Sequence, residues 1–538
     1  YDPSGSFQNI NRRYDIVYGD VMLNFNYNIR RFDIAATLGW TGRYENMNNM
    51  RVSTNGGLVT ENWFDLNASR YTASSTLQLT GRQERSSTLK DQSFFYPSAN
   101  LSFLFSNAFR MPAWWNHGKL RLSYGVVGNA PETYAANIIY EQGSDNGFTW
   151  NYVPSSWGNA NIRPEKKYEY EIGFESKFLN NRLGFDVSYY NNRVKDQILS
   201  TPQPSTSGVK YVLMNVGEVA NEGWDISVSA TPVLTKNFRW DLTANYGIYR
   251  NKVVKLADGV PYLEISNIGG GGAKIQAVEG RPMGDIYVQV PQMNENGEYL
   301  VSDKGLYMNQ TELQRVGNIN PDGVGGLFSS FSYKNIFLDF SIDFRIGGDV
   351  INEMYQYSTA SGLTPESLQF RDTEHGGLSY YYPGNNNASG VPVQVDPSLG
   401  AGPNGETVYH DGVILPGVVA STGEKNTRII PAGYYYNQTY NWGTQPEQLT
   451  YRHSVFDNSY VKLRELTIGY QFPEKLISKL GMTRLSVSVF GRNLFYFYKA
   501  LKNYDAESSV GTSWASQAVV GGSTTATRNF GVSLRASF

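Results

Sequence analysis

Apolar and polar side chains alternate strictly in many short segments of this sequence, and few folds accept that pattern. In the segment YEYEIGFE, which begins at Tyr168, tyrosine, isoleucine and phenylalanine alternate with glutamate and glycine. After a polar turn at 179–182 that contains two asparagines, the alternation resumes at Leu183. Successive side chains of a β-strand point to opposite faces, and Asn tolerates the positive φ of a tight turn. These residues therefore predict a β-hairpin.

The same alternation recurs along the chain. Apolar residues occupy every second position from Trp224 to Ala230, from Ile336 to Phe344 and from Phe530 to Phe538. A single hairpin of this kind fits a soluble sandwich equally well. Repeated apolar faces opposite charged ones are typical of a barrel whose outer face meets lipid. The sequence predicts an all-β fold, namely a transmembrane antiparallel β-barrel.

Composition narrows the function classes. The net charge of −2 gives no indication of a nucleic-acid partner, and the absence of cysteine excludes disulfides, thiol metal sites and thiol catalysis. No run of about 18 apolar residues predicts a membrane-spanning helix. The mean hydropathy of −0.41 agrees with a barrel, because alternation hides the apolar face from window averages.

The connections between predicted strands are of two lengths. Short turns alternate with long segments, as periplasmic turns alternate with extracellular loops in outer-membrane barrels. We therefore expect residues 1–538 to be one barrel portion with large extracellular loops at about 128–164, 255–325, 346–458 and 491–526. Roughly 14 strands are recognisable, fewer than the 22 of a plugged transporter barrel. The first residues resemble mid-protein sequence, so we expect the chain to be a fragment.

Aromatic residues in the longest loop are candidate ligand contacts. Aromatic rings among amides and hydroxyls suit sugar rings, whose C–H faces are apolar and whose rims need hydrogen bonds. The alternative is that these rings pack the loop against itself or against a protein partner. The candidates are Tyr380, Tyr381, Tyr382, Tyr434, Tyr435, Tyr436 and Trp442.

Other polar groups suggest little chemistry. Asp505 and Glu507 in the last long loop are either surface residues or contacts for substrate or a lid. Asn318, Asn320 and Asp322 weakly resemble a calcium loop, but Pro321 and the missing terminal Glu favour a structural turn. The four histidines are far apart, and no catalytic or nucleotide-binding motif is present. The sequence predicts no enzyme, no cofactor and no metal site.

Several segments in order resemble the SusC-like (SusC/RagA) branch of TonB-dependent outer-membrane transporters. The resemblance covers Thr80 to Phe538 and rests on nine stretches. These are TGRQERSSTL, FFYPSANLSFLFS, LRLSYGVVGN, NIRPEKKYEYEIGFE, NVGEVANEGWDISV, GNINPDGVGGLFSSFSYKNIFL, SYVKLRELTIGYQFP, FGRNLFYF and FGVSLRASF.

The resemblance implies a Gram-negative outer-membrane importer with a 22-stranded barrel, of which this chain holds roughly the C-terminal two-thirds. It implies a plug, a TonB-contacting segment and the first strands, none of which lies within residues 1–538. It also implies a SusD-like surface lipoprotein, uptake of oligosaccharides or, less often, peptides, and in some members a dimer of transporter–lipoprotein pairs. The terminal Phe538 resembles the signal read by the barrel-assembly machinery.

Two alternatives share part of this pattern. A passive porin has the same strands but neither plug nor energy coupling, and an upstream plug-like segment distinguishes the two. A secreted β-rich glycan-binding protein or adhesin would be soluble without detergent, which the repeated apolar face opposes.

Overall fold

In a computed structural model the chain forms two compact units, residues 1–232 and residues 233–538. The described residues are 11–29, 32–50, 75–86, 88–89, 93–133, 135–137, 140–145, 148–203, 206, 208–268, 272–441, 451–522 and 525–538. Each unit is built on long antiparallel strands joined by alternating short and long connections.

In the first unit, the long strands form a two-stranded hairpin and a larger antiparallel sheet, in which each long strand pairs with the next along the chain. A first hairpin pairs β1 with β2, and β3, β4, β5, β9, β10 and β11 then follow one another in a single sheet. The strands in chain order are β1 Asn11–Ile29, β2 Phe32–Met50, β3 Ser75–Arg85, β4 Ser93–Phe103, β5 Trp115–Asn129, β6 Glu141–Asp145, β7 Phe148–Tyr152, β8 Ser156–Trp157, β9 Glu165–Phe178, β10 Leu183–Pro202 and β11 Tyr211–Leu234. The short helix α1, Phe105–Ala108, lies between β4 and β5.

The second unit repeats this plan. Its long strands β12, β18, β19, β27, β28 and β30 follow one another in the sheet, with bounds Phe238–Lys255, Gly323–Tyr333, Ile336–Ile346, Tyr460–Gln471, Arg484–Lys499 and Asn529–Ser537. Short strands fill the long connections: β13 Tyr262–Ile268, β14 Ala273–Val278, β15 Asp285–Val288, β16 Leu300–Val301, β17 Gln314–Asn318, β20 Asp349–Asn352, β21 Leu378–Tyr381, β22 Val393–Gln394, β23 Val408–Val413, β24 Val418–Val419, β25 Ile430–Pro431, β26 Val455–Asp457 and β29 Val519–Val520.

The helices of the second unit are short. They are α2 Glu353–Ala360, α3 Ala432–Tyr440 and α4 Glu474–Ile477. Single 3₁₀ turns occupy Pro365–Leu368, Pro383–Asn385, Tyr451–Ser454, Ser478–Leu480 and Ser516–Ala518. Among the residues that the structure describes, no helix is both long enough and apolar enough to cross a membrane.

The hairpin at 179–182 has the predicted turn. Leu179, Asn180 and Asn181 all have positive φ, at 55°, 58° and 61°. Phe178 then pairs with Leu183, and the register continues without interruption to Lys166. The asparagines thus provide the left-handed backbone that lets β9 reverse directly into β10.

Strand ends differ from the sequence expectation. The apolar alternation of Leu77 and Leu79 ends before Gly81, yet Gly81–Arg85 continues β3 and pairs with Ser93–Pro97. β2 likewise extends to Met50 through polar, Asn-rich residues. β28 extends to Lys499, so the last long connection begins at 500, about nine residues later than the expected 491. Pairing continues wherever two strands stay side by side, even after apolar alternation has ended.

The apolar face of the strands is the exposed one. Ile172 of β9 and Leu534 of β30 are 47% and 69% exposed. On the opposite face of β9, Glu175 lies within 4 Å of the charged nitrogen atoms of Arg121 and Lys119, at 3.5 and 3.9 Å. Water-exposed proteins bury the apolar side, so this inversion indicates an apolar solvent around the strands.

Aromatic residues lie at both ends of the apolar band in the first unit. The rings of Trp114 and Phe178 stack 5.9 Å apart beside the short turns. Tyr189 contacts Trp224 at 4.9 Å and Tyr170 at 6.4 Å nearer the long connections. The eight residue-to-residue steps from Tyr170 to Phe178 span about 26 Å of strand, comparable with the ~25 Å apolar band of a barrel.

Replacing Leu534 by Arg tests which face meets lipid. If Leu534 lies near the bilayer midplane, the charge should lower the free energy of unfolding by about 2–4 kcal/mol. Unfolding in lipid vesicles measures this change. Ser533→Arg on the opposite face of β30 is the matched control and should cost much less; equal costs would contradict the face assignment.

Candidate loop assembly

Three long connections of the second unit share one hydrophobic core. Segments 256–322, 347–459 and 500–528 each contribute buried side chains to it. The buried members are Ile268, Ala273, Ile275, Ile286, Val288, Ile319, Ile351, Tyr451, Val455, Ala515, Ala518 and Val519. Loops that share a core cannot move independently without exposing apolar surface, so these three form one folded body, here called the loop assembly.

Backbone pairing joins the same connections. β20 pairs antiparallel with β26, and Ile351 and Asn352 of β20 pair in parallel with Val519 and Val520 of the last connection. β16 of the first connection pairs in parallel with β24 of the second. A connection of more than 100 residues is thereby ordered without belonging to the main sheet.

The first tyrosine group packs inside the loop assembly. Tyr380 is buried, stacks on Tyr409 with ring centroids 5.4 Å apart, and donates a hydrogen bond of 3.0 Å to Asp411. Burial, followed by the charge of Asp411, raises the pKa of Tyr380. Tyr382 meets the Tyr380 ring edge-on at 5.6 Å, and Tyr381 is half-buried.

The second tyrosine group lies on α3. Tyr436 is buried and donates a 2.8 Å hydrogen bond to the carbonyl of Glu366. Tyr435 contacts Phe370 with ring centroids 6.4 Å apart, and burial raises its pKa to about 12. Tyr434 is exposed, so in this group the free aromatic surface belongs to Tyr434.

Trp442 and Phe538 need separate mention. Trp442 lies outside the described residues. Phe538 is exposed at the end of β30, and its role in barrel assembly stays a prediction. Contact of ligand or partner with the six tyrosines, Asp505 and Glu507 also stays a prediction; among the tyrosines, Tyr434 is the exposed one and Tyr380 and Tyr436 are buried.

The acidic pair joins the last connection to the sheet. Glu507 accepts hydrogen bonds from Lys462, at 2.5 Å, and from Arg464, which also donates 2.6 Å to Asp343. Asp505 accepts from the Tyr496 hydroxyl at 2.6 Å and from the backbone N–H of Ala526 at 2.9 Å. The carboxylates hold the connection 500–528 to β27 and β28.

Electrostatics of the pair favour the charged form. Burial by itself would raise the pKa of Glu507, but the hydrogen bonds from Arg464 and Lys462 outweigh burial and lower it. For Asp505, hydrogen bonds from Tyr496 and from backbone N–H groups likewise outweigh burial and lower its pKa. Both carboxylates are therefore ionised at neutral pH.

Asparagines at 318 and 320 form turns. Asn318 accepts a hydrogen bond from the backbone N–H of Asn320 at 2.8 Å, and the Asn320 amide donates 2.7 Å to the carbonyl of Met283. Within the described part of the chain, no three His, Asp or Glu residues are grouped as metal ligands.

An aromatic hairpin in the first unit was missed by sequence reasoning. β6 pairs antiparallel with β7 inside the connection 130–164, and Phe148, Trp150 and Tyr152 are all exposed. The signal was present in FTWNY, where aromatics occupy alternate positions. It was overlooked because the segment reads as an Asn- and Gly-rich loop.

The polar face of the first unit carries a charged network. Arg121 donates hydrogen bonds to Asp186 at 2.6 Å, to Ser188 at 3.1 Å and to Glu175 at 3.5 Å. These residues come from β5, β9 and β10 and point away from Ile172. A barrel strand has paired polar and charged residues on the face toward the interior and apolar residues on the face toward lipid, and the strands of the first unit show both kinds of face.

Comparisons with known proteins agree on one family. Residues 1–286, just over half of the chain, match the family described as TonB dependent receptor-like, beta-barrel. TonB-dependent receptor P3 of Formosa agariphila is 22% identical over 417 residues, which cover 70% of this chain and 35% of that protein. TonB-dependent receptor SusC of Bacteroides thetaiotaomicron is 27% identical over 256 residues, 42% of this chain and 24% of that protein.

Solved structures share the fold. The RagAB peptide transporter matches with a TM-score of 0.61 at 16% identity, covering 97% of this chain and 56% of that one. The RagAB peptide importer in its closed-closed state matches at 0.59 and 17% identity, covering 97% and 52%. This chain spans about a third or less of the curated relatives and about half of these structures.

Replacing Glu507 by Gln tests the attachment of the last connection. Lys462 and Arg464 would lose their charged partner at similar side-chain volume, so local opening of 500–528 should become easier by about 1.5–3 kcal/mol. Protease cleavage within 500–528 should accelerate roughly 10–100-fold at pH 7. Glu424→Gln, at an exposed position of the same assembly, is the control and should change nothing.

The difference in cleavage rate between the wild type and Glu507→Gln should also depend on pH. Because the pKa of folded Glu507 is lowered, its stabilisation is complete above the unfolded value of about 4.3 and is lost as pH falls through the folded value. The two proteins should therefore converge in strong acid. A constant difference between pH 7 and pH 3 would contradict the ionic attachment.

Proposed function

Because the chain belongs to the TonB-dependent receptor-like β-barrel family, we propose that it is the barrel portion of a SusC/RagA-type nutrient importer. Proteins of this family lie in the bacterial outer membrane, and so does this chain. We propose that the complete protein takes up oligosaccharides or peptides, with energy supplied through TonB.

The loop assembly is the observation that carries the proposal. A passive pore needs long loops only to narrow its opening, whereas a transporter that binds its ligand before passage needs a preformed binding surface. Here three connections on one side of the sheet have a common core and ionic attachment through Asp505 and Glu507. A rigid surface of this kind loses little conformational entropy when it binds a ligand.

The two sheet faces supply the rest of the mechanism. Exposed apolar residues such as Ile172 and Leu534 would contact lipid, and the network of Arg121, Glu175 and Asp186 would line a hydrated interior. Charged side chains keep the inner wall hydrated, and because positive and negative groups are paired, the wall does not strongly attract solutes of one charge sign. Passage would open when a plug, pulled by TonB, moves within that interior.

We propose a SusD-like lipoprotein as the partner that closes over the loop assembly. Ligand held between two proteins needs only modest affinity from each, because the second contact becomes intramolecular once the first has formed. Pairs of such complexes could further associate as a dimer. RagAB, whose fold this chain shares, is described as a peptide importer, and SusC is described as a TonB-dependent receptor.

The test uses the complete protein in its own outer membranes. After detergent solubilisation and affinity capture through a tag on the complete protein, we expect a SusD-like lipoprotein in the eluate, identified by intact-mass spectrometry. Uptake of a radiolabelled nutrient by cells should cease when TonB is deleted. Capture of the barrel without a lipoprotein, together with uptake that does not need TonB, would instead indicate a passive pore.

A further inference from the structure

Three exposed aromatic residues of the first unit lie on one small β-ribbon. Glu141–Asp145 and Phe148–Tyr152 pair antiparallel, with Tyr152 opposite Glu141 and Trp150 opposite Gly143. Phe148, Trp150 and Tyr152 occupy alternate positions of one strand, so their side chains share a face. They are 77%, 48% and 43% exposed. We call residues 141–152 the aromatic hairpin.

Gly143 determines how the central ring lies. A Cβ at Gly143 would come within 2.8 Å of two indole carbons of Trp150, so the ring lies across the backbone of the facing strand. One side of the indole is thereby packed on peptide atoms, and its plane is held along the ribbon. A larger residue at 143 would push the indole away.

A carboxylate borders the aromatic face. Glu141 lies directly across the ribbon from Tyr152, and hydrogen bonding to its carboxylate, together with its charge, raises the pKa of Tyr152. Glu141 is exposed, so its remaining oxygen lone pairs can accept hydrogen bonds from a ligand. Apolar planes beside a hydrogen-bond acceptor complement a molecule with apolar C–H faces and hydroxyl groups along its rim.

We propose that the aromatic hairpin is a carbohydrate-binding platform on which successive sugar rings of an oligosaccharide stack. Alternate residues of a strand are about 6.7 Å apart, a spacing of the order of one sugar unit, so neighbouring aromatics can address neighbouring rings. The inference rests on the proposed importer function, and it specifies a glycan as the cargo.

The size of the face favours a small ligand over a protein partner. Aromatic side chains have about 150–250 Å² each, so at these exposed fractions the three offer roughly 250–420 Å². A stable protein interface needs about 800 Å² on each side. Two or three sugar rings, in contrast, are covered adequately by a face of this area.

The experiment measures equilibrium binding by the full-length transporter in detergent, without the lipoprotein, on a printed array of neutral and acidic oligosaccharides. The wild type should retain at least one oligosaccharide. Trp150→Ala should weaken binding of that glycan about tenfold or more, and Trp150→Phe should keep most of it. Gly143→Val, which leaves every aromatic in place but displaces the indole, should weaken it as well.

Tyr262→Ala is the matched control, since it removes an exposed aromatic side chain from the second unit. It should bind glycan as the wild type does. Each variant is first checked by gel electrophoresis, in which a folded barrel migrates differently from the heat-denatured chain. If Trp150→Ala does not fold, Gly143→Val and Trp150→Phe still test the proposal.

Two results would overturn the platform: retention of no array glycan by the wild type, or equal retention by the wild type, Trp150→Ala and Gly143→Val. Loss of lipoprotein capture in Trp150→Ala with unchanged glycan binding would assign the hairpin to the partner instead. Failure of the importer proposal has a different signature, because glycan binding would then persist while uptake did not depend on TonB.

Discussion

Hydrogen bonding between neighbouring strands is the constraint on which this structure depends. Lipid offers no partner for a backbone N–H or C=O group, so a strand that crosses it must satisfy both edges on other strands. In the second unit, for example, the pairing of Ile336–Ile346 with Gly323–Tyr333 on one side and with Tyr460–Gln471 on the other does this. Once the backbone is paired, side chains are free to differ completely between the two faces.

The long connections obey a different rule, because they lie in water. They become ordered by burying apolar residues together. Ile286, Ile351 and Val519 come from three different connections and lie in one core. Hydrophobic burial thus stabilises the loop assembly, as lipid contact stabilises the strands below it. The carboxylates of Asp505 and Glu507 join the two parts through Tyr496, Lys462 and Arg464.

The sequence predicted the strands correctly where the alternation of apolar and polar side chains reflects the different surroundings of the two strand faces. The hairpin around Asn180 and the alternation near Leu338 were predicted because two-residue periodicity is a local property of the chain. Periodicity locates strand ends less well, because the strands that end at Arg85, Met50 and Lys499 continue by backbone pairing after the apolar alternation has ended. It also could not divide the tyrosines, since Tyr434 and Tyr436 differ in burial, not in chemistry.

The sequence by itself determined the β-class of the fold, the two faces of its strands and the alternation of short and long connections. Each of these properties depends on residues that are close to one another along the chain. Only the tertiary structure decided which loop residues are buried, which acid meets which base, and which aromatics remain open. Arg464 and Asp343 are 121 residues apart, and no local pattern reveals such a pair, because its existence depends on how distant connections fold over one another.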